Sequence, residues 1–237
     1  MPDAIVGVDL RLSTAIVAGK LARLASRRLG FGGGTALPGA VAEWIDSDAL
    51  AKLARALPRS SVLVTGTNGK TTTSRLLAAF LAADQRKVIH NRAGANLRSG
   101  LVTALVESAN ILGRSRGDGA LFEVDEAVMP AVARATRART IVLTNLFRDQ
   151  LDRYGEVDYV ASVWRDAVGV LPSTTTLVLN ADDPAVASLG QLTKATVVYY
   201  GVDASGDGSR VSHVADTKNC PFCGRALTYS VVRYAHI

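Results

Sequence analysis

Cysteine is almost missing from this 237-residue chain: Cys220 and Cys223 are the only two, and two residues separate them. No disulfide framework can therefore hold the fold together. Aromatic residues are also scarce, at 5%. Few of them stand beside basic residues, so base stacking gains little support and no nucleic acid is expected as a partner. No uncharged apolar run is long enough to span a bilayer. The N-terminus lacks the pattern of a secretory signal, because Asp3 and Asp9 precede the first basic residue and Arg11 and Lys20 interrupt the apolar stretch. These absences lead us to expect a cytoplasmic protein. Carboxylates are fewer than cations, 21 against 27, for a formal net charge of +6. That balance favours anionic partners such as a nucleotide, a phospholipid surface or a diphosphate substrate, without choosing among them.

What is present is ordinary for a globular chain, with 48% hydrophobic residues supplied mainly by alanine and valine. The length suits one or two domains with a full core. The most informative stretch runs from Val62 to Thr73. A β-branched apolar run stops at Gly66-Thr67-Asn68-Gly69-Lys70-Thr71-Thr72-Thr73, and a helical pattern follows from Ser74. Strand, glycine turn and helix N-terminus in that order converge N–H groups and a helix dipole on one point, which suits a phosphate. Gly66 and Gly69 let the backbone approach phosphate oxygens, Lys70 is placed to reach the β- and γ-phosphates, and the Thr71 hydroxyl is placed to hold Mg²⁺. The longer common form of this loop needs a glycine where Val64 stands, so the loop is of a shorter type. Lys70 is expected to be solvent-accessible when no nucleotide is bound.

Ahead of the loop, residues 10–29 have helical spacing, with Val17, Leu21 and Leu24 on one face and Lys20, Arg23 and Arg27 on another. The plain expectation is a surface helix packed through the apolar stripe. The alternative is that the basic face meets an anionic membrane or a lipid-linked substrate. Gly30-Phe31-Gly32-Gly33-Gly34-Thr35 reads as a connector, and a short amphipathic helix is expected over residues 40–57, ended by Pro58. Beyond residue 61, strand patterns at 62–65, 87–90, 119–124, 140–144, 175–179 and 196–200 alternate with helical patterns at 70–83, 98–112, 126–137, 156–169 and 184–190. This alternation implies an α/β fold with a mostly parallel sheet covered by helices on both faces. Ligands of such sheets sit at the C-terminal ends of strands.

Two residues at strand ends therefore stand out. Asn96 follows the second strand, either as the N-cap of the next helix or as an amide facing the γ-phosphate. Glu123 ends the third strand and completes a Mg²⁺ shell with Thr71 if the first and third strands are neighbours. Asp125 and Glu126 suit the cap of the next helix. Asn180-Ala181-Asp182-Asp183-Pro184, after the fifth strand, suits a turn and a helix start.

The loop Gly66–Thr73 resembles the ATP loop of the Mur ligase superfamily, where the short form is usual. The resemblance favours the γ-phosphate role for Asn96. Many members carry Asp-His-Leu-Asp after the fourth strand and a carbamylated lysine on the helix that follows. Here Gln150 takes the histidine position, and the helix has Val163, Trp164 and Arg165 but no lysine. The usual second Mg²⁺ site is therefore not expected. Phe122-Glu123-Val124-Asp125-Glu126-Ala127 and Phe147-Arg148-Asp149-Gln150-Leu151-Asp152-Arg153-Tyr154-Gly155-Glu156 are similar to the MurT branch, the Mur-ligase-like subunits of lipid II isoglutaminyl synthases.

Near the end, Cys220-Pro221-Phe222-Cys223-Gly224 is a zinc-knuckle turn that directs two thiolates at one tetrahedral ion. A closed site needs four ligands; His213 and His236 lack convincing spacing, and a redox Cys-x-x-Cys lacks its usual context. By resemblance a second cysteine pair lies downstream, followed by a C-terminal domain with an adenine-contact motif and a catalytic aspartate. None of these is found here, so the chain reads as C-terminally truncated. The expected organisation is an N-terminal helical segment over 1–60, a Mur ligase central ATP-binding domain over 61–217, and an incomplete zinc ribbon over 218–237.

The resemblance implies an ATP-dependent carbon–nitrogen ligase subunit of peptidoglycan biosynthesis. It would activate the D-glutamate α-carboxylate of the lipid II stem peptide as an acyl phosphate, for amidation to D-isoglutamine. ATP, Mg²⁺ and Zn²⁺ are the implied cofactors, Lys70 and Glu123 the implied catalytic residues, and a GatD-type glutaminase the implied source of ammonia. The absence of an evident Ser-His or Cys-His nucleophile pair fits ammonia arriving from elsewhere. Two other readings are open. One is another Mur-type ligase that adds an amino acid, including the folylpolyglutamate type; the other is a non-catalytic binding module dependent on ATP and zinc.

Overall fold

The computed structural model describes residues 8–28, 36–91, 94–147, 156–202, 217 and 219–228. The strands are β1 (Ser61–Thr65), β2 (Val88–His90), β3 (Gly119–Glu123), β4 (Thr140–Leu143), β5 (Thr176–Asn180) and β6 (Thr196–Tyr200). The helices are α1 (Leu10–Arg28), α2 (Leu37–Ile45), α3 (Ala49–Arg55), α4 (Lys70–Ala83), α5 (Arg98–Ser108), α6 (Met129–Thr136), α7 (Glu156–Gly169) and α8 (Pro184–Ser188), with a 3-10 turn over Leu189–Gln191. The six strands form one sheet in the order β2-β3-β1-β4-β5-β6. β1 pairs with β3, β2 with β3, and β5 with β6, all in parallel. Parallel neighbours need crossover connections, and the intervening helices supply them. This is the α/β architecture that the alternating pattern implies.

The chain forms two compact units, residues 1–65 with 69–141 and residues 66–68 with 142–237. In the first unit β3 is buried along its whole length, as a central strand covered on both faces must be. Leu63, Val64, Leu121 and Phe122 of the strands and Leu101, Val102, Leu105 and Val106 of α5 are all buried in its core. Burial of each such side chain stabilises the fold by roughly 1.5–3 kcal/mol. In the second unit the core gathers Leu143, Trp164, Val168, Leu177, Leu179 and Val186. β6 is mostly exposed, in keeping with its place at the sheet edge.

Three local expectations are corrected. The helix expected over 40–57 is two helices, because Asp46 leaves the helical path. Its buried carboxylate takes the Asp48 N–H at 3.1 Å and the Lys52 ammonium at 2.8 Å, and those bonds fix the break. Helix α5 ends at Ser108 rather than residue 112, where Asn110 Oδ1 collects the N–H groups of Leu112 and Arg114 in a turn. The third correction is the face of α1. Leu12, Ala15, Ile16 and Gly19 are buried, whereas Val17, Leu21 and Leu24 face solvent. Small residues let α1 approach closely: a Cβ on Gly19 would lie 2.8 Å from the Pro38 carbonyl oxygen of α2. The basic face is instead engaged within the unit, with Lys20 bonded to the Ala109 carbonyl and Arg23 paired with Glu107. The expected connector, residues 30–35, lies outside the described residues.

Candidate phosphate and metal site

In the first unit the site is built by the neighbouring ends of β1 and β3. Their register pairs Val64 with Glu123, so Glu123 stands beside the strand that runs into the glycine loop. Gly69 has a φ of +81°, a conformation that side-chain-bearing residues rarely adopt, and α4 begins at the next residue. Lys70, Thr71 and Thr72 thus form the first turn of α4, whose N–H groups point out of the helix end. The Thr71 hydroxyl donates to Glu123 Oε1 at 2.9 Å. Two oxygen ligands at adjacent corners of an Mg²⁺ octahedron, each about 2.1 Å from the ion, are about 3 Å apart. The hydroxyl and carboxylate therefore already hold the spacing that Mg²⁺ requires.

Glu123 is buried, and its backbone is clamped by a residue that sequence reasoning missed. Asn91, at the end of β2, accepts the Glu123 N–H at 2.9 Å and donates to the Glu123 carbonyl at 2.8 Å. The same amide donates to the Ala95 carbonyl at 2.9 Å, which ties the loop after β2 into the cluster. Asn96 belongs to that loop, and its carbonyl accepts the Asp125 N–H at 3.0 Å. Asn96 does not cap α5: the N-cap is Leu97, with no side-chain bond.

Lys70 is not solvent-accessible as expected. Its ammonium lies 2.7 Å from Glu126 Oε1, with the two side chains 14% and 17% exposed. The cation meets the carboxylate in the turn after β3. Glu126 thus serves Lys70 rather than a helix cap, and α6 starts only at Met129. Asp125 shapes that turn by accepting the Ala127 N–H at 3.0 Å.

The first residues of the loop belong to the second unit. Gly66 has a φ of +135°, and a Cβ there would lie 2.1 Å from Thr144 Oγ1. Thr67 donates its N–H to the Asn145 carbonyl at 3.0 Å, and its hydroxyl accepts the Phe147 N–H at 3.1 Å. Asn145, also missed, accepts the Asn68 N–H at 2.7 Å and returns a bond to the Asn68 carbonyl at 3.0 Å. The motif after β5 supports this segment. Asn180 donates to the Thr144 carbonyl at 2.8 Å, and Asp183 accepts the Leu146 N–H at 2.7 Å while capping α8. Strand-end position was the signal for both asparagines, yet only tertiary contact reveals which backbone each one holds. Asp149, Gln150 and Asp152 lie outside the described residues, as do His213 and His236.

Cys220 and Cys223 lie in a tight turn. Gly224, with a φ of +69°, donates to the Cys220 carbonyl at 3.0 Å, and Cys220 donates to Arg225 at 2.8 Å. The Cys223 and Phe222 N–H groups, which bond to it, hold the Cys220 thiol below its ordinary pKa. A stabilised thiolate is the form that binds a metal, so Cys220 fits a zinc ligand, with the exposed Cys223 beside it in the turn. Among the described residues no third His, Cys, Asp or Glu joins them.

Residues 64–224 match the family described as Mur ligase middle domain. The chain is 39% identical over 228 residues to the lipid II isoglutaminyl synthase (glutamine-hydrolyzing) subunit MurT of Staphylococcus aureus, covering 96% of this chain and 50% of that protein. It is 32% identical over 232 residues to the MurT subunit of Streptococcus pneumoniae, covering 97% of this chain and 50% of that protein. The chain thus spans about half the length of these curated relatives. Among solved structures, MurF ligase from Thermotoga maritima in complex with ADP aligns with a TM-score of 0.56 at 18% identity, over 70% of this chain and 38% of that one. MurF from Acinetobacter baumannii aligns with a TM-score of 0.54 at 15% identity, over 74% of this chain and 37% of that one. A glycine loop on a parallel sheet, a strand-end glutamate beside it and this extent of similarity agree: the chain belongs to the Mur ligase family.

Proposed function

We propose that this chain is the ATP-handling part of a lipid II amidating ligase, acting in the cytoplasm at the inner face of the membrane. Residues 61–217 form its ATP-binding domain, with residues 1–60 as a helical appendage and 218–237 as the start of a zinc ribbon. The cluster of Lys70, Thr71 and Glu123 carries the reading, because phosphoryl transfer is catalysed chiefly by positioning and charge stabilisation. Gly66, Thr67, Asn68, Gly69 and Thr72 line the phosphates with backbone groups, and the Asn96 amide faces the γ-phosphate. Lys70 leaves Glu126 for the β- and γ-phosphate oxygens. Thr71 and Glu123 would hold Mg²⁺, which would supply charge neutralisation on the transferring group. A carboxylate oxygen of the acceptor attacks the γ-phosphorus and ADP departs. Ammonia then attacks the acyl carbon, and inorganic phosphate leaves the amide behind.

The names of the relatives favour lipid II as acceptor and a glutamine-hydrolysing partner as ammonia source. On this reading the acceptor group is the D-glutamate α-carboxylate, and the product is D-isoglutamine. Cys220 and Cys223 supply two ligands of a structural Zn²⁺. The test is amidation of lipid II by the native-length protein with a glutaminase partner, glutamine, Mg²⁺ and ATP, read by mass spectrometry. D-isoglutamine should form with wild type and vanish with Lys70→Ala. Amidation that survives Lys70→Ala, or that needs no ATP, would overturn the reading.

A further inference from the structure

The corrected face of α1 leaves an apolar surface that the ATP site does not use. Leu10, Val17, Leu21 and Leu24 recur at helical spacing and are all exposed, Leu10 by 75%. On α2, Leu37, Ala40 and Trp44 form a second exposed stripe, with Trp44 exposed by 87%. The two helices run antiparallel in contact. Arg11 Nε donates to the Ile45 carbonyl at 2.6 Å at one end, and Gly19 abuts Pro38 at the other. The opposite side of α2 is anchored to α5, where the Gly39 N–H donates to Thr103 Oγ1 at 2.8 Å.

The rim of this surface is cationic. Arg11, Arg27 and Arg28 are exposed. Among the described residues of these helices and their approach, the carboxylates are Asp9 and Glu43, which are paired with Lys52 and Arg98. An exposed apolar stripe with basic flanks and an outward tryptophan is the pattern of helices that lie in a bilayer interface. A protein partner would have to match those cations with carboxylates placed one by one, whereas an anionic lipid surface presents negative phosphate charge at every headgroup. We propose that α1 and α2 dock flat on an anionic phospholipid surface, with the leucine stripe and Trp44 entering the headgroup boundary. The choice of a bilayer rests in part on the lipid-linked acceptor proposed above.

The chain contains its own reporter. Within these 237 residues Trp164 is fully buried and Trp44 is exposed, so the part of an emission change that Trp44→Phe removes comes from Trp44. The native-length protein is mixed, without ATP or acceptor, with vesicles of phosphatidylglycerol and phosphatidylcholine, or of phosphatidylcholine alone. Emission should shift to the blue and protein should sediment with the anionic vesicles only, less so at high salt. Trp44→Phe should remove the shift. The double variant Leu21→Glu, Leu24→Glu should lower vesicle binding by about tenfold or more, since it replaces apolar contact with repulsion. Both leucines are already exposed, so thermal melting should be unchanged. Sedimentation that the double variant retains overturns the proposal, as does absence of binding to anionic vesicles. A blue shift that appears with protein concentration alone overturns it in favour of a second copy, and one that needs only the glutaminase overturns it in favour of that partner. Vesicle binding without amidation removes only the acceptor assignment; amidation of a soluble acceptor without vesicle binding removes only the docking face.

Discussion

The end of β3 and the turn at Cys220–Gly224 both offer two candidate metal ligands, and they are built in opposite ways. Thr71 and Glu123 come from different elements of one packed unit, and Asn91 clamps the glutamate backbone on both sides. Among the described residues, the bonds of the turn that holds Cys220 and Cys223 run within it, from Asn219 to Ala226. The first pair has its geometry fixed by the sheet core before any ion arrives. In the second, the Cys220 thiol is held below its ordinary pKa, and the ligand set must be completed by other residues. Preorganisation of this kind is what charge stabilisation in phosphoryl transfer depends on. A structural zinc site instead draws its order from the metal itself.

The largest effect expected from this contrast is at Gly66. Gly66→Ala places a Cβ 2.1 Å from Thr144 Oγ1 and 2.8 Å from the backbone of Asn145, at a φ of +135°. Strain and overpacking together should cost about 3 kcal/mol or more in urea unfolding, and ATP binding should be lost with the loop shape. A loss below about 1 kcal/mol would mean that the loop adapts freely and is no more rigid than the cysteine turn. The smallest effect belongs to that turn. In this chain the double substitution Cys220→Ser, Cys223→Ser should change stability by less than about 0.5 kcal/mol, the usual range for exposed sites. MgATP affinity should be unaltered. A large drop in melting temperature would show that the turn supports the second unit as the sheet supports the first.

Much of this fold is legible in the sequence because period and punctuation agree. The strand at 196–200 and the helices at 70–83 and 156–169 match the structure residue for residue. Gly69 before Lys70 marks the start of α4 by chemistry that only glycine supplies easily. Glu123 could be placed because strand ends are where parallel sheets bind ligands. Other features needed tertiary contacts. Hydrophobicity alone put Val17, Leu21 and Leu24 inside, yet Gly19 and Ala15 decide the packed face of α1, because small residues permit close approach of α2. Asp46 breaks a helix through a buried pair with Lys52, six residues ahead. Glu126 looked like a cap and is the partner of Lys70. Asn91 and Asn145 carry no local pattern that says which backbone they will clamp.

The central claim is that Glu123 and Thr71 form a Mg²⁺ seat for the ATP phosphates. The direct measurement is calorimetric titration of ATP into wild type and Glu123→Gln across a range of Mg²⁺ concentrations. The substitution keeps size and the Thr71 hydrogen bond but removes the charge that holds the ion. Wild type should bind ATP more tightly as Mg²⁺ rises. Glu123→Gln should lose affinity by about tenfold or more at saturating Mg²⁺, the order expected for one lost charged contact, while binding without Mg²⁺ stays the same or improves. Equal Mg²⁺ dependence in the two proteins would contradict the account and leave Glu123 as a structural residue at the end of β3.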